Sequence, residues 1–361
     1  MKKNIRLLII SVVLISLFGL VMIYSSSCVW AEYKFNNPYK FLISQSIFAI
    51  LGFILMYVVS KFPYSIYKKY SNTIFFVCFI LLILVLIPGV GTVRNGSRSW
   101  FGIGGFGVQP SEFAKLGLLI FVSKYLSVNN KDIRNIKKGV FPILIIIFLV
   151  FGLIMLQPDF GTGVIIVVSV IMLLFISGVK ISFFVGLGIL GLIGVVGLVI
   201  VAPYRMQRII SFLNPWNDPL GSGFQIIQSM YAIGPGGLLG NGLGNSIQKH
   251  FYLPEPQTDF IFSIISEEFG FMGILIVAIL FITIIYQGFK ISMSSNNLFG
   301  KYLAFGITNS LAFQTLLNLM VVVGLIPVTG VTLPFLSYGG SSLVITLVSI
   351  GILISIGRKE K

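Results

Sequence analysis

The sequence has 361 residues, of which 56% are hydrophobic and only 10% are charged, and its mean hydropathy is +1.01. Soluble globular domains carry about 25% charged residues, so this composition argues against a water-soluble fold. The net charge of +15 would suggest a nucleic-acid ligand in a soluble protein. In a chain this apolar we interpret the charge as a signal of membrane topology, and we expect no nucleic-acid partner.

Ten apolar runs follow one another along the chain, and several reach the roughly 20 residues that span a bilayer core. Hydrocarbon offers the backbone no hydrogen bonds, so each run is predicted to be a helix. The sequence therefore predicts an all-α fold, a polytopic membrane helix bundle that forms a single integral membrane domain over residues 1–361. The ten predicted transmembrane helices cover approximately residues 6–26, 41–60, 72–89, 111–127, 140–156, 163–178, 182–202, 260–287, 300–325 and 340–357.

The intervals between these runs differ in charge. Most of the 25 lysines and arginines fall on the same side as the N-terminus. Because cytoplasmic loops carry an excess of Lys and Arg, we predict that the N and C termini are both cytoplasmic. Residues 203–259 then form a large extracellular loop, which shows no obvious secondary structure and is expected to fold against the membrane surface. Five of the ten acidic residues also lie on the outer side and only two lie clearly inside, which indicates function at the outer face.

The fourth run contains Glu112 and Lys115, and their spacing of three places both side chains on one face of a helix. Ionisable residues at membrane depth are costly and are usually paired or line a cavity. Two interpretations remain open: a buried ion pair that fixes the orientation of the helix, or a polar wall of a substrate cavity. In both we expect the pair to face the interior of the bundle.

Three charged residues stand at the outer ends of predicted helices. Asp159, in the turn at 157–163, either caps the next helix or binds a cation or a substrate hydroxyl. Arg205 and Arg208 lie just outside the seventh run, where positive charge is disfavoured. They either anchor the protein to lipid headgroups or bind an anion, and we favour a diphosphate because the guanidinium fork suits phosphate.

Glycine is concentrated in two places. Residues 234–244 contain six glycines within the long outer loop, and they form either tight turns or a close backbone approach to a phosphate or sugar. The pattern is neither a Walker A nor a Rossmann fingerprint. A second group of glycines in the seventh run predicts a seam for close helix packing, formed by Gly186, Gly188, Gly191, Gly194 and Gly197.

The segment Pro-Glu-Pro-Gln-Thr-Asp at 254–259 leads directly into the eighth run. Asp259 either caps that helix or acts as a general base, because desolvation at the mouth of the helix would raise its pKa. Glu267 and Glu268 follow about two turns later, and at least one is expected to turn inward. The single histidine and the two cysteines form no metal-ligand pattern, so no metal site is predicted.

At these motifs the chain resembles the SEDS family of bacterial cell-wall proteins (shape, elongation, division and sporulation), whose members include FtsW, RodA and SpoVE. Four blocks carry the resemblance: Asn-Gly-Ser-Arg-Ser-Trp at 95–100 with Gln-Pro-Ser-Glu at 109–112; Gln-Pro-Asp-Phe-Gly-Thr at 157–162; Leu-Pro-Glu-Pro-Gln-Thr-Asp-Phe at 253–260 with Glu-Glu at 267–268; and Gly-Leu-Ile-Pro-Val-Thr-Gly at 324–330 through Leu-Pro-Phe-Leu-Ser-Tyr-Gly-Gly-Ser-Ser at 333–342. The first block is more similar to SpoVE and FtsW-like members than to RodA.

The resemblance implies a peptidoglycan glycosyltransferase of the bacterial inner membrane. Such an enzyme polymerises lipid II at the outer face during division or sporulation, and works with a class B penicillin-binding protein. The family's functional aspartate maps onto Asp259, and the Glu and Lys of its fourth helix map onto Glu112 and Lys115. One departure is Gln257 in place of a usual His, which implies that this His is not an obligatory proton carrier.

A second departure is Ser99, which stands where the family commonly has Arg, with Arg98 one place earlier. Because of this shift, the resemblance does not decide whether Arg98 makes the contact that the family's Arg makes.

In the reaction implied by the resemblance, a sugar hydroxyl of the acceptor attacks the anomeric carbon of the donor. Asp259 takes the proton, and undecaprenyl diphosphate leaves. Arg205, Arg208 or a divalent cation such as Mg²⁺ or Mn²⁺ is expected to stabilise the leaving charge. The predicted substrate contacts are Arg98, Trp100, Glu112, Lys115, Asp159, Arg205, Arg208, Gln225, Glu255, Thr258 and Ser337.

Two other functions remain open, a lipid II flippase and a non-catalytic scaffold of the division machinery. A flippase predicts polar groups distributed through the depth of the bilayer. In this sequence the polar residues are concentrated at the outer rim, which favours the enzyme.

Overall fold

The structure is a computed structural model that describes residues 2–94, 96–103, 106–133, 135–201 and 203–359. Ten of the α-helices within these residues, all except α8 and α9 below, coincide with the ten predicted apolar runs, so the predicted helix bundle is confirmed. In chain order the helices are α1 (Lys2–Phe35), α2 (Lys40–Lys61), α3 (Ser65–Leu84), α4 (Pro110–Val128), α5 (Phe141–Met155), α6 (Phe160–Ile176), α7 (Ile181–Val201), α8 (Pro203–Leu213), α9 (Phe224–Ile233), α10 (Ile261–Met293), α11 (Leu298–Val322) and α12 (Gly340–Lys359).

The lengths of these helices suit a membrane. Eight helical stretches in the described part of the chain are long and apolar enough to cross a bilayer, with the π-helical turn Ile136–Val140 counted as part of α5. Helix α6 is equally apolar but has 17 residues. Helix α4 has 19 residues and contains Glu112, Lys115 and Lys124. The side of the membrane on which each terminus lies stays a prediction.

Two clusters of buried side chains hold the bundle together. The larger is built mainly by α1, α2, α10, α11 and α12, and the smaller by α3, α4, α5 and α6. Helix α11 lies between them, because it contacts α10 and α12 as well as α4 and α6. Polar residues on α11 can therefore reach segments from both clusters.

Residues 92–108 form an element that the sequence analysis did not predict. Strands β1 (Thr92–Arg94), β2 (Ser97–Ile103) and β3 (Phe106–Val108) form an antiparallel sheet in the order β1-β2-β3. Two of the strands have only three residues, too few for an alternating pattern to be recognised. The Ser97 hydroxyl donates a hydrogen bond to the backbone oxygen of Gln157, which ties the sheet to the turn before α6.

The expectation that residues 203–259 lack regular structure is wrong. Helix α8 follows α7 directly, and α9 packs against α10 and α11. Helix α8 combines apolar residues with Arg, Gln and Ser, and its mean hydropathy is too low for it to stand out as an apolar run.

The predicted glycine seam of α7 makes no close helix contact within the described part of the chain, so that expectation is also wrong. A Cβ added at any of its five glycines would meet no heavy atom within 4 Å. No residue whose burial is described in the apolar stretch of α7 is buried. Helix α7 therefore contributes no buried residue to either cluster among the described residues, and Phe183 and Phe184 at its start pack against the smaller one.

Helix α10 is broken at Gly270, where φ is 60° and ψ is −153°. The glycine-rich residues 234–244 supply the hydrogen bonds that the break removes. The backbone nitrogens of Asn241 and Gly242 each donate, over 2.9 Å, to the backbone oxygens of Glu267 and Glu268. Beyond the break, the nitrogens of residues 271 and 272 donate to the oxygens of residues 237 and 238. Irregular backbone is tolerated in this way only where protein surrounds it.

Glycine is required in this segment because the two backbones touch. A Cβ at Gly240 would lie 2.3 Å from the backbone carbonyl carbon of Glu268, and one at Gly236 would lie 2.2 Å from the backbone oxygen of Ser266. Gly240 also has a φ of 75°, as expected for a tight turn. The interpretation as tight turns is therefore confirmed, and the close backbone approach that the structure shows is to α10, whereas an approach to a phosphate or sugar stays a prediction.

Candidate functional site

Asp259 lies immediately before α10, with its side chain half-buried. The helix begins at Ile261, and its N-cap residue is Phe260 rather than Asp259. Among the described residues, no hydrogen-bond donor contacts the Asp259 carboxylate. The N-cap interpretation of Asp259 is therefore wrong, and its carboxylate is left available for chemistry.

The surroundings of Asp259 disfavour its charged form. Burial is the main cause that raises the pKa of this carboxyl, the negative charge of Glu255 adds to it, and the positive charge of Arg208 partly opposes both, so that the pKa is about 6. A carboxylate with such a pKa is mostly ionised at neutral pH and still able to accept a proton. The position thus has the properties of a general base.

The connection between α11 and α12, residues 323–339, forms the other wall of this site. Gly330 lies beside Asp259, since a Cβ there would be 3.8 Å from Oδ2 of Asp259. The backbone nitrogen of Tyr338 donates to the backbone oxygen of Gln257 over 2.8 Å. Ser337, a predicted substrate contact, is buried, and its hydroxyl accepts a hydrogen bond from the backbone nitrogen of Leu333 over 2.8 Å. The hydroxyl of Ser337 thus shapes the connection.

Two glutamines join this connection to neighbouring helices. Gln45 of α2 donates to the backbone oxygen of Ser337 and accepts from the backbone nitrogen of Gly339, both over 3.2 Å. Gln314 of α11 donates to the backbone oxygen of Thr332 over 3.1 Å. These side-chain amides satisfy backbone groups that have no partner in a helix.

Glu112 and Lys115 form the predicted ion pair in the interior of the bundle. The Lys115 ammonium lies 2.8 Å from Oε2 of Glu112 and donates to Oε1 of Gln314 over 2.7 Å. Both charged residues are buried. A small cavity of about 30 Å³ borders Lys115 and Gln314. The ion-pair interpretation is confirmed, and the pair is linked through Gln314 to the connection that carries Gly330.

Asp159 is the N-cap residue of α6, as one of its two interpretations predicts, because its carboxylate accepts from the backbone nitrogen of Thr162 over 3.2 Å. Gln109 and Ser111 also donate to this carboxylate, over 2.9 and 3.2 Å. Burial raises the pKa of Asp159, against the lowering effect of the Thr162 hydrogen bond. Its charge contributes to the raised pKa of Asp259, so the two aspartates share one electrostatic environment.

Arg208 reaches the same region from α8. Its Nη1 donates to the backbone oxygen of Val328 over 3.0 Å, and the residue is exposed. Its positive charge lowers the pKa of Asp259, so the two side chains interact electrostatically. Arg205 belongs to α8, but its side chain lies outside the described residues.

The other predicted contacts are distributed around this centre. Thr258 donates its hydroxyl to the backbone oxygen of Glu255 over 2.8 Å, in a turn where Glu255 has a positive φ of 43°. Arg98 and Trp100 lie two residues apart on β2, and β2 contacts α4. Gln225 lies half-buried at the start of α9, a helix that contacts α10 and α11. None of these placements assigns a substrate contact, and those assignments stay predictions.

A second polar centre lies at the break in α10, where both Glu267 and Glu268 point inward. The Glu268 carboxylate accepts from the Ser25 hydroxyl over 2.6 Å and lies 3.2 Å from the ammonium of Lys249. The Glu267 carboxylate accepts from the Ser246 hydroxyl over 2.5 Å. At least one inward glutamate was expected, and the structure has two. Lys249, assigned from the sequence to an outer loop, is a buried ion-pair partner.

Sequence reasoning missed Gln45, Gln314 and Asn318, three buried amides that bind the backbone around Asp259. A signal for two of them is visible in the chain. Gln314 and Asn318 are polar residues four apart in an apolar run, so they share one helix face. Polar residues in such a run usually face the interior of a bundle.

Comparison with known proteins gives concordant matches. A family model described as cell cycle protein, for FtsW, RodA and SpoVE, matches residues 5–361. Stage V sporulation protein E of Bacillus subtilis is 52% identical over 355 residues, which cover 98% of this chain and 97% of the relative. The probable peptidoglycan glycosyltransferase FtsW of Geobacter sp. (strain M18) is 40% identical over 349 residues, covering 97% and 95%.

Solved structures share the fold. A chain from a peptidoglycan synthase complex, studied for its structural coordination of polymerisation and crosslinking, is 30% identical, with a TM-score of 0.80 and coverage of 98% of this chain and 97% of that one. The rod shape determining protein RodA of Thermus thermophilus is 28% identical, with a TM-score of 0.72 and coverage of 98% and 96%.

Proposed function

This chain belongs to the cell cycle protein family of FtsW, RodA and SpoVE, and we propose that it is a peptidoglycan glycosyltransferase that polymerises lipid II. The family and the apolar helices make it a multi-pass protein of the bacterial inner membrane. One observation carries the proposed chemistry. The Asp259 carboxylate accepts no hydrogen bond from the described residues, has a raised pKa, and lies near a guanidinium.

The reaction joins two lipid-linked sugars. The acceptor hydroxyl oxygen forms a bond to the anomeric carbon of the donor, the bond from that carbon to the diphosphate oxygen breaks, and Asp259 takes the hydroxyl proton. The leaving group is undecaprenyl diphosphate. Arg208 supports its departure, because a guanidinium fork stabilises charge that develops on phosphate oxygens. Arg205, next to it on the same helix, is proposed for the same role.

A divalent cation is the other group proposed to stabilise the leaving charge. In the described part of the chain, no three His, Cys, Asp or Glu side chains come together as a metal site. Mg²⁺ is commonly held by one or two carboxylates together with substrate phosphates. A cation would therefore have to be held largely by the diphosphate. We assign the stabilisation of the leaving diphosphate's negative charge to Arg208.

We also propose a partner. A structural relative of this chain acts in a peptidoglycan synthase complex that couples polymerisation to crosslinking. By resemblance, the partner of this chain is a class B penicillin-binding protein, which supplies the crosslinking activity.

The test is polymerisation of lipid II by the purified protein, alone and with its partner, with glycan strands resolved on a gel. We expect Asp259→Asn to abolish polymerisation while leaving expression and partner binding intact, because Asn cannot accept the proton as a carboxylate does. The matched control is Asp218→Asn. Asp218 is an exposed aspartate of the same outer segment, whose carboxylate accepts hydrogen bonds from Ser222, and its variant should polymerise normally.

Near-normal polymerisation by Asp259→Asn would refute the catalytic role. A lipid II flippase or a scaffold makes a different forecast, since neither function needs a proton acceptor at position 259. If the wild type transports or assembles but never polymerises lipid II, one of these alternatives replaces the proposal.

A further inference from the structure

One buried amide holds the backbone of the proposed general base. Asn318 lies on α11 with 1% of its surface exposed. Its Nδ2 donates to the backbone oxygen of Asp259 over 2.8 Å and to the backbone oxygen of Val331 over 2.7 Å. An amide nitrogen has two N–H groups, so both are used. We infer that Asn318 is a positioning residue, which fixes the Asp259 carboxylate at the place where the acceptor hydroxyl must lie.

The inference follows from how little else orients that carboxylate. The side chain of Asp259 receives no hydrogen bond from the described residues, so its direction depends on the backbone that carries it. Val331, the second residue held by Asn318, follows Gly330, which lies against the carboxylate. Asn318 therefore binds both backbone segments of the site, the one before α10 and the connection between α11 and α12, to the same helix. A shift of about 1 Å at a catalytic group can cost about 100-fold in rate.

The neighbouring turn of α11 shows that this contact is specific to position 318. Gln314 lies one turn earlier on the same face, where it donates to the backbone oxygen of Thr332 and accepts from Lys115. Two adjacent turns of α11 thus bind two adjacent carbonyls: Gln314 binds that of Thr332, and Asn318 binds that of Val331. Of these two turns, the one at Asn318 also binds the backbone oxygen of Asp259.

The proposal rests on the function proposed for Asp259, and the test is built to separate the two. Asn318→Leu keeps the branching and the number of side-chain heavy atoms and removes both donors. We expect kcat for lipid II polymerisation to fall about 100-fold per folded molecule, with the KM for lipid II within about twofold of wild type. We also expect the acid limb of the pH–rate profile to move to lower pH, because a loosened Asp259 is better hydrated.

The matched control is Asn309→Leu. Asn309 is the same residue type on the same helix, and its Nδ2 makes no hydrogen bond among the described residues. This variant should retain the wild-type kcat, KM and pH profile. Folded protein is quantified by size-exclusion chromatography before each assay, so that activity is expressed per folded molecule.

A merely structural role gives a different result. If Asn318→Leu lowers only the yield of folded protein, and kcat and the pH profile stay at wild-type values, the inference is overturned. Where Asn318→Leu does not fold, Asn318→Ser retains one donor on a smaller side chain, and it should show a smaller loss of kcat with the same direction of pH shift. A wild type that does not polymerise lipid II overturns the proposed function itself, whereas an active wild type with an unchanged Asn318→Leu overturns only this inference.

Discussion

Two carboxylate centres flank the first part of α10, and they are built in opposite ways. The Glu268 carboxylate is fully buried, accepts a hydrogen bond from Ser25 and is paired with Lys249. The Asp259 carboxylate is half-buried and receives no hydrogen bond from the described residues. Both carboxylates are shielded from bulk water. Of the two, Glu268 is the one whose negative charge is paired with a lysine ammonium.

The difference separates structural from chemical use of an acid. A carboxylate whose acceptor sites are occupied by fixed donors must give up charge-assisted hydrogen bonds to take a proton, so it serves the fold. A carboxylate without such donors, with a pKa near 6, can exchange a proton near neutral pH. We therefore assign a structural role to Glu268, which holds α1, α10 and the glycine-rich segment together. To Asp259 we assign the proton transfer of the proposed reaction.

The strongest test of this contrast is Lys249→Ala, which leaves Glu268 buried without its cation. Breaking a buried pair costs about 3–5 kcal/mol, and we expect the upper end because both side chains are almost fully enclosed. Thermal unfolding in detergent measures the loss. The double variant Glu268→Gln with Lys249→Met should recover most of it, because no charge is stranded. Wild-type stability of Lys249→Ala would show that this pair does not hold the segment.

The Glu112–Lys115 pair is intermediate between the Glu268 and Asp259 centres, because it is paired but slightly more exposed than the Glu268–Lys249 pair. Glu112→Ala or Lys115→Ala should cost the lower end of about 3–5 kcal/mol, because the pair is slightly exposed and Gln314 remains beside it. Activity should fall as well, since Gln314 also binds the connection next to Asp259. Lys124→Ala is the control on the same helix, because the Lys124 ammonium donates among the described residues to Asn72 alone, and we expect a change within about 0.5 kcal/mol. Single variants that match wild type in both readouts would make the pair dispensable.

The pH dependence of the rate sharpens the contrast further. A general base must be deprotonated, so the rate of polymerisation should rise about tenfold between pH 5 and pH 7, through the Asp259 pKa of about 6. A raised pKa also means that the ionised form is disfavoured in the folded state, so stability falls as pH rises from 3.8 to about 6. Asp259→Asn lacks this dependence and should be at least as stable as wild type at pH 7. A rate that is flat across this range would argue against Asp259 as the base.

The substitution with the smallest expected effect tests on which side of the membrane both carboxylate centres lie. Asn245 is exposed and directly follows the glycine-rich segment, next to the Glu268 centre. In a background with Cys28 and Cys78 replaced by Ser, Asn245→Cys should react with an impermeant thiol reagent in intact cells, and function should be unaffected. Labelling only after lysis would place residues 203–259 inside and overturn the predicted topology.

Local patterns in the sequence were enough to find several parts of the site. The spacing of Glu112 and Lys115 predicted an inward ion pair, and the polar turn before α6 indicated a cap at Asp159 as one of two interpretations. The role of Asp259 as a cap stayed open, because a shift of the helix start by one residue decides it. The structure begins α10 at Ile261, so that Phe260 and not Asp259 is the N-cap residue.

The sequence by itself determined that the chain is a membrane helix bundle, because hydropathy and helical spacing are local properties that each segment carries alone. Only the tertiary structure decided which polar residues meet. Lys249 pairs with Glu268 beside Ser25 of α1, and Asn318 binds the carbonyls of Asp259 and Val331. These contacts join segments that are distant in the chain, and a buried polar group shows in the sequence only that it needs a partner, not which one the packing of the helices will supply.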